Sequence, residues 1–151
     1  MDLTGEGICD SPGDEPGTDV ASVCKTRIFF TRSTDGGNHW EDPRIINRLP
    51  DDSLTDQFHP RLVVDEIKGR LVIVYYESGE GDRQKAYVLY RFSDDDGLSW
   101  SEPSLLSDQI DETTSGANDK QYGDYIGLSG YAGTFFPSWT YLTRGNLGLP
   151  H

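Results

Sequence analysis

The chain has 151 residues, with 26 Asp and Glu against 13 Lys and Arg and a formal net charge of −13. That length is about one domain's worth, and the acidity excludes a phosphate-neutralising nucleic-acid surface or a polybasic membrane contact. An apolar content of 34% with 17 Gly and 8 Pro argues against long helices, and the longest strongly apolar run, Leu71 to Tyr76, is far short of the ~20 residues that span a bilayer.

Residues 1–24 are polar, acidic and turn-rich and read as an irregular N-terminal arm. The arm has neither a basic n-region nor an apolar h-region, so no signal peptide is expected in this chain. It carries both cysteines, Cys9 and Cys24. A disulfide between them would staple a segment with little core of its own, and two free thiols are the even alternative. No metal site is expected, because the three histidines (His39, His59, His151) are scattered and zinc-type ligand spacing is absent.

From residue 25 the texture changes to short runs of Val, Ile, Tyr, Phe and Trp separated by turn signals. The expected strands are Arg27–Arg32, Arg44–Asn47, Arg61–Asp65, Arg70–Glu77, Ala86–Phe92, Pro103–Leu106, Asp124–Ser129 and Thr134–Leu142. No stretch sustains a 3.6-residue apolar period, so the expected class is all-β.

Two internal repeats organise these strands. Ile28 to Trp40 aligns with Val88 to Trp100 at an offset of 60, and Pro43 and Pro103 follow each Trp at the same distance. A second pair aligns at an offset of 64: Gln57 to Val64 with Gln121 to Leu128, Gly69 with Gly133, and Leu71–Tyr75 with Phe135–Trp139. One unit is therefore about 60–64 residues of four strands, a to d, and the chain runs c-d, a-b-c-d, a-b. Radial repetition of four-stranded antiparallel sheets describes a β-propeller, here about two to two and a half blades over residues 25–151.

The recurring pattern Ser-x-Asp-x-Gly-x-x-Trp is Ser33, Asp35, Gly37, Trp40 and again Ser93, Asp95, Gly97, Trp100. It resembles the Asp box of the sialidase-like (BNR-repeat) propeller superfamily, as does Gly123–Leu128 leading to Phe136–Thr140, which is similar to bacterial sialidase-like proteins. Its chemistry is structural. Gly supplies φ > 0 for the c–d hairpin, Asp and Ser satisfy turn N–H groups, and Trp buries a large ring against the sheet. Asp94–Asp96 lacks the further ligands and closing Glu of an EF-hand loop. The acid density is compatible with calcium, but no ligand set is identifiable and no cofactor is expected.

In an up-and-down sheet the c–d and a–b turns share one face of the disc, and the b–c and d–a loops share the other. The candidate ligand-binding residues on that second face are Asp56, His59, Arg61, Glu77, Arg83, Asp124 and Tyr125. By strand alternation Arg61 is expected to share the face of His59. The resemblance implies a sialidase-type glycan site: three arginines on the sugar carboxylate, a Tyr nucleophile paired with a Glu, and an Asp acid/base. In Phe58-His59-Pro60-Arg61, histidine stands where the first arginine would be, and no Tyr–Glu pair is assignable, so the catalytic residues stay unknown.

Propellers close with about 4–8 blades. This chain is then either part of a longer propeller or one copy in an assembly, with three copies giving a six-bladed ring by head-to-tail closure. Three functions follow: a sialidase-like glycoside hydrolase segment, a carbohydrate-binding lectin-like homo-oligomer without catalysis, or a protein-interaction or structural module. The expected partners are a glycan or glycoconjugate and further copies of the chain, with no nucleic acid and no membrane insertion. An acidic, disulfide-compatible propeller fits secretion or a periplasm.

Overall fold

The computed structural model describes residues 25–47, 55–79, 82–107, 110–111 and 125–140. Among these residues the fold is all-β and without helices. Nine strands follow one another: β1 (Phe29–Phe30), β2 (Arg44–Ile45), β3 (Gln57–Val64), β4 (Leu71–Gly79), β5 (Asp82–Ser93), β6 (Ser104–Leu105), β7 (Ile110–Asp111), β8 (Gly127–Tyr131) and β9 (Thr134–Ser138). The central sheet has the order β3-β4-β5-β6, with every neighbouring pair antiparallel. That is one complete a-b-c-d blade. β1 pairs with β2 as the c-d half of a blade before it, and β8 pairs with β9 as the a-b half of a blade after it. The arrangement is a partial β-propeller in the c-d, a-b-c-d, a-b order.

Several strand bounds differ from expectation, each for a local reason. β1 and β2 are shorter than expected because the ladder opens around them, although Glu41 N still donates to Arg32 O and Ile46 N to Ile28 O. β3 begins at Gln57, four residues before the expected Arg61, because the strand crosses proline through a bulge. β5 starts at Asp82 rather than Ala86, and a short added strand, β7, pairs with its beginning. The a–b turns differ as well. Residues 65–70 join β3 to β4, whereas Ala132 and Gly133 alone join β8 to β9. The residues of the arm, with Cys9 and Cys24, lie outside the described set, as does Asp124.

Side-chain alternation along β4 decides how the blades pack. Ile73 and Tyr75 join Ile28, Ile46 and Leu89 in one buried cluster, with Phe30, Tyr87 and Trp100 against it. Val74 and Tyr76 join Ala86, Val88 and Ile126 in another, with Leu128 and Trp139 against it. One face of the complete blade therefore packs on the first half-blade and the other on the last. Burying each such Val, Leu or Ile side chain contributes about 1.5–3 kcal/mol, and β4 is the strand where both contributions meet.

The two Asp boxes close with the same bonds. Gly37 N and Gly97 N each donate to the hydroxyl of the preceding box serine at 2.8 Å. His39 N and Ser99 N each donate to the box aspartate Oδ1 at 2.9 Å. Both glycines hold positive φ, 90° and 82°. Their surroundings differ. A Cβ on Gly97 would stand 2.4 Å from Phe30 Cε1, while one on Gly37 would meet nothing within 4 Å. Trp100 is half-buried edge-on to Phe30, ring centroids 5.4 Å apart, whereas Trp40, expected to bury its ring, is 64% exposed. Among the described residues nothing packs on the flank that holds Trp40.

Gly37→Ala should cost about 1 kcal/mol, the strain of an L-residue in the left-handed region. Gly97→Ala should cost an additional ~1–3 kcal/mol, because the Phe30 ring must also move. Urea unfolding of the two variants measures the difference, and equal costs would show that Phe30 does not pack on the second box.

Candidate functional site

The two ends of the blades carry different chemistry. At the turn end, Asp65 is fully buried below the β3–β4 turn. Burial pushes its carboxyl up, but the N–H groups of Ile67, Gly133, Lys68 and Ala132 outweigh that and hold it below the usual carboxylate range. It thereby fixes the β8–β9 turn of the next blade onto its own. Arg70 donates to both oxygens of Asp94 at 2.6 and 2.7 Å and lies over the Phe92 ring. The boxes share this end. Asp95 is lowered to about 2, first by the Ser99 hydroxyl, then by the Ser99 N–H and Ser93. Asp35 is lowered to about 2, first by the His39 N–H, then by the His39 ring and Ser33. Carboxylates so saturated are poor proton donors or acceptors at neutral pH, and their work is to hold turns.

The opposite end, where β4 runs toward β5 and each blade is entered, holds the candidate ligand-binding residues. Asp56 is buried, and its Oδ1 accepts from Thr26 N at 2.8 Å. Its own N–H donates to Ser78 Oγ at 2.8 Å, and Arg27 reaches over to the Thr55 carbonyl at 2.7 Å. These bonds clasp the start of the first half-blade to the complete blade. Glu77 is half-buried and its Oε2 receives the amides of Gln57 at 2.8 Å and Asn47 at 3.3 Å. Tyr75 lies wholly buried in the same region. Burial first, then the Glu77 charge, pushes its phenol well above the usual range, against the opposing pull of Arg91 and Asn47. Arg91 is buried, and it donates to the carbonyls of Ser101, Ile46 and Trp100. The structure thus brings Asp56 and Glu77 into one hydrogen-bonded seam between the first two blades.

His59 and Arg61 form a second group. His59 has φ 51°, rare for a residue with a side chain. It sits in the bulge where Phe58 opposes Tyr76 and Arg61 opposes Val74. The extra residue breaks the expected alternation, so Arg61 falls in register with Phe58 rather than with His59. The His59 ring lies edge-on to Phe58 at 5.3 Å and to Tyr76 at 6.2 Å. Arg61 is exposed, and its Nε donates to the Ile126 carbonyl at 2.9 Å, linking β3 to the start of the following half-blade. Tyr125, next in sequence to that carbonyl, is 77% exposed. Burial raises the Tyr76 phenol, and the Thr140 N–H that it accepts opposes the shift. Arg83 lies near the start of β5 with its side chain outside the described set, and Asp124 lies outside it altogether.

Sequence reasoning missed Asp65, Tyr75 and Arg91. An arginine in an apolar strand reads as a solvated residue, and only tertiary packing shows that it is buried against two carbonyls of its own blade and one of the half-blade before it. Among the described residues no group of three or more His, Cys, Asp or Glu could hold a metal ion, and no helix is long and apolar enough to cross a membrane. A cavity between blades is lined by Val74, Tyr90, Phe92, Leu106 and Phe135, with Arg70 at the turn end also in its wall.

The fold and its boxes define a segment of a β-propeller with Asp-box hairpins. The chain is similar to the solved structure of the Hadza microbial sialidase Hz136, at 26% identity and a TM-score of 0.46, over 53% of this chain and 19% of that one. The matched region is thus about a fifth of that sialidase's length, and so partial a match leaves the blade topology as the ground for the class. No protein-family model matches the chain, and no curated protein does.

The box carboxylates predict acid lability. A carboxyl held near 2 in the fold and near 3.8 when released contributes stability that is complete above about pH 4 and lost as pH falls toward 2. The urea midpoint should therefore drop across that window. Asp95→Asn should lower the midpoint at pH 7 and flatten the acid limb. An unchanged acid limb in this variant would show that Asp95 does not couple to folding.

Proposed function

We propose that this chain is part of a sialidase-like propeller that recognises glycans, with the His59–Arg61 rim and Tyr125 as the contact surface. The observation that carries the reading is the bulge at the start of β3. It holds His59 at positive φ and sets Arg61 against the neighbouring blade. Bulges re-aim side chains beside binding sites, and strained backbone of this kind is kept where the surrounding structure has a use for it. The chemistry suits a sugar: Tyr125 offers an exposed ring face, and the Arg61 guanidinium matches a carboxylate such as that of a sialic acid. The two Asp boxes and the name of the similar sialidase support glycans as the ligand class.

Recognition is the reading for this segment rather than hydrolysis. Tyr87 opposes Glu77 in the β4–β5 ladder and is half-buried, but the tyrosine whose phenol the Glu77 and Arg91 charges reach is Tyr75, which is fully buried with its phenol pushed up. A glycoside in solution does not reach it.

Titration of the chain with sialyllactose and lactose, followed by NMR or calorimetry, tests the proposal. Sialyllactose should bind in preference, Tyr125→Ala and Arg61→Ala should each weaken it at least tenfold, and circular dichroism should be unchanged in Tyr125→Ala. Absence of binding to either sugar, or affinity indifferent to both substitutions, would overturn it. Release of a fluorogenic leaving group from a sialoside by the chain alone would overturn the assignment to recognition.

A further inference from the structure

The two Asp boxes share bonds but not surroundings, and the difference identifies an interface. In the second box Gly97 is buried under Phe30, and Trp100 lies edge-on to that ring. Arg32 also donates to the Asp96 carbonyl in the box turn at 3.1 Å. The c strand of one blade therefore grips the box of the next. The first box has no such grip. Gly37 faces open space and Trp40 is 64% exposed. Phe29 and Ile45, paired across β1 and β2, are 39% and 38% exposed on the face away from Ile28 and Ile46.

The complementary feature lies at the other end of the described residues. Tyr90 follows Phe30 at the repeat offset of 60, on the c strand of the complete blade. By the rule just given it grips the box of the blade that β8 and β9 begin. In place of that box is a cavity of about 290 Å³ lined by Tyr90, Phe92, Leu106, Leu128, Phe135 and Pro137. Its walls are otherwise aliphatic, with Arg70, paired to Asp94 and lying over Phe92, as the one charged member. Among the described residues β9 pairs only with β8, so its second edge is open for a c strand.

We propose that this cavity is the socket for Trp40 of a second copy of the chain. The β1–β2 hairpin of that copy adds to the open edge of β9 and completes the third blade. In the register of β4 with β5, where Val74 opposes Tyr90, Phe30 of the second copy lies opposite Ser138. Socket and box lie on opposite flanks of the chain, so they meet between copies and not within one. The contact is heterologous and runs head to tail. Each copy adds two blades, and a propeller of about 4–8 blades closes with two to four copies. The inference rests on the blade interfaces alone and stands whether or not the rim binds a glycan.

Light scattering of the 151-residue chain over a range of concentrations tests it. The expected mass is a small closed multiple of 16.9 kDa. Trp40→Asp should return the chain to a single-copy mass with unchanged circular dichroism, because Trp40 is 64% exposed within one copy. A wild-type chain that stays at the single-copy mass up to the highest soluble concentration overturns the proposal, as does association that survives Trp40→Asp. A peptide of residues 25–47, added in trans, identifies the occupant further. If it binds a wild-type chain that remains monomeric, the socket takes an Asp-box hairpin from elsewhere and the second copy is wrong. If it competes with self-association of the wild type, the second copy is supported.

Discussion

β4 has no solvent side, and the rest of the molecule follows from that. Leu71 to Tyr76 are all buried, with odd and even side chains going to different clusters. A strand of this kind cannot be stable in an isolated sheet, because one of its apolar faces would be left in water. It needs a packed layer on both sides. The half-blades supply these layers, with Ile28 and Ile46 on one face and Ile126 on the other. The cost of opening either interface is the exposure of several large side chains at about 1.5–3 kcal/mol each.

Polar groups at the two ends of these interfaces set the angle between blades. Asp65 captures the N–H groups of the next blade's turn. Arg91 captures the Ile46 carbonyl of the previous half-blade and the Trp100 and Ser101 carbonyls that follow the box turn of its own blade. Asp56 captures Thr26 at the opposite end from the boxes. Asp65 and Arg91 are each a charged group taken out of water and surrounded by backbone partners, the condition under which burial is tolerated. Removing the charge would strand several main-chain groups at once, so these residues hold register as well as stability. Apolar clusters alone would let blades slide, because the hydrophobic effect has no direction.

The blade order was legible in the sequence because it is written twice. Ser-x-Asp-x-Gly-x-x-Trp recurs at a fixed distance, and each residue type has a local task that few others perform. Strand a of the complete blade was less legible. A bulge leaves no alternation signature: plain alternation puts His59 and Arg61 on one face, whereas Arg61 pairs with Val74 and shares the face of Phe58. Trp40 and Trp100 are equivalent by pattern, and only the presence of Phe30 beside one of them distinguishes their burial. The seam of Tyr75, Glu77 and Arg91 was invisible for a related reason. Its members are spread over two strands of one blade, and their shared surroundings come from the loop end of another. Local propensity speaks to hairpins, whereas a site assembled between blades depends on tertiary packing.

Assembly and catalysis make opposite demands on such a chain. A sialidase-type centre draws different residues from several blades onto one sugar. A ring made from copies of one chain repeats every residue around the axis, so it cannot place three distinct arginines, a nucleophile and an acid at a single point. It can present the His59–Arg61 rim several times, at equal spacing. Weak contacts then add through effective concentration, provided the glycans are spaced to reach more than one rim. The same rims in a long single chain would stand beside blades of other sequence, where asymmetry is available and a catalytic centre can be built. How the third blade is completed therefore decides what the rim does. The residues that choose between the two outcomes are Trp40 and the walls of the cavity at Tyr90.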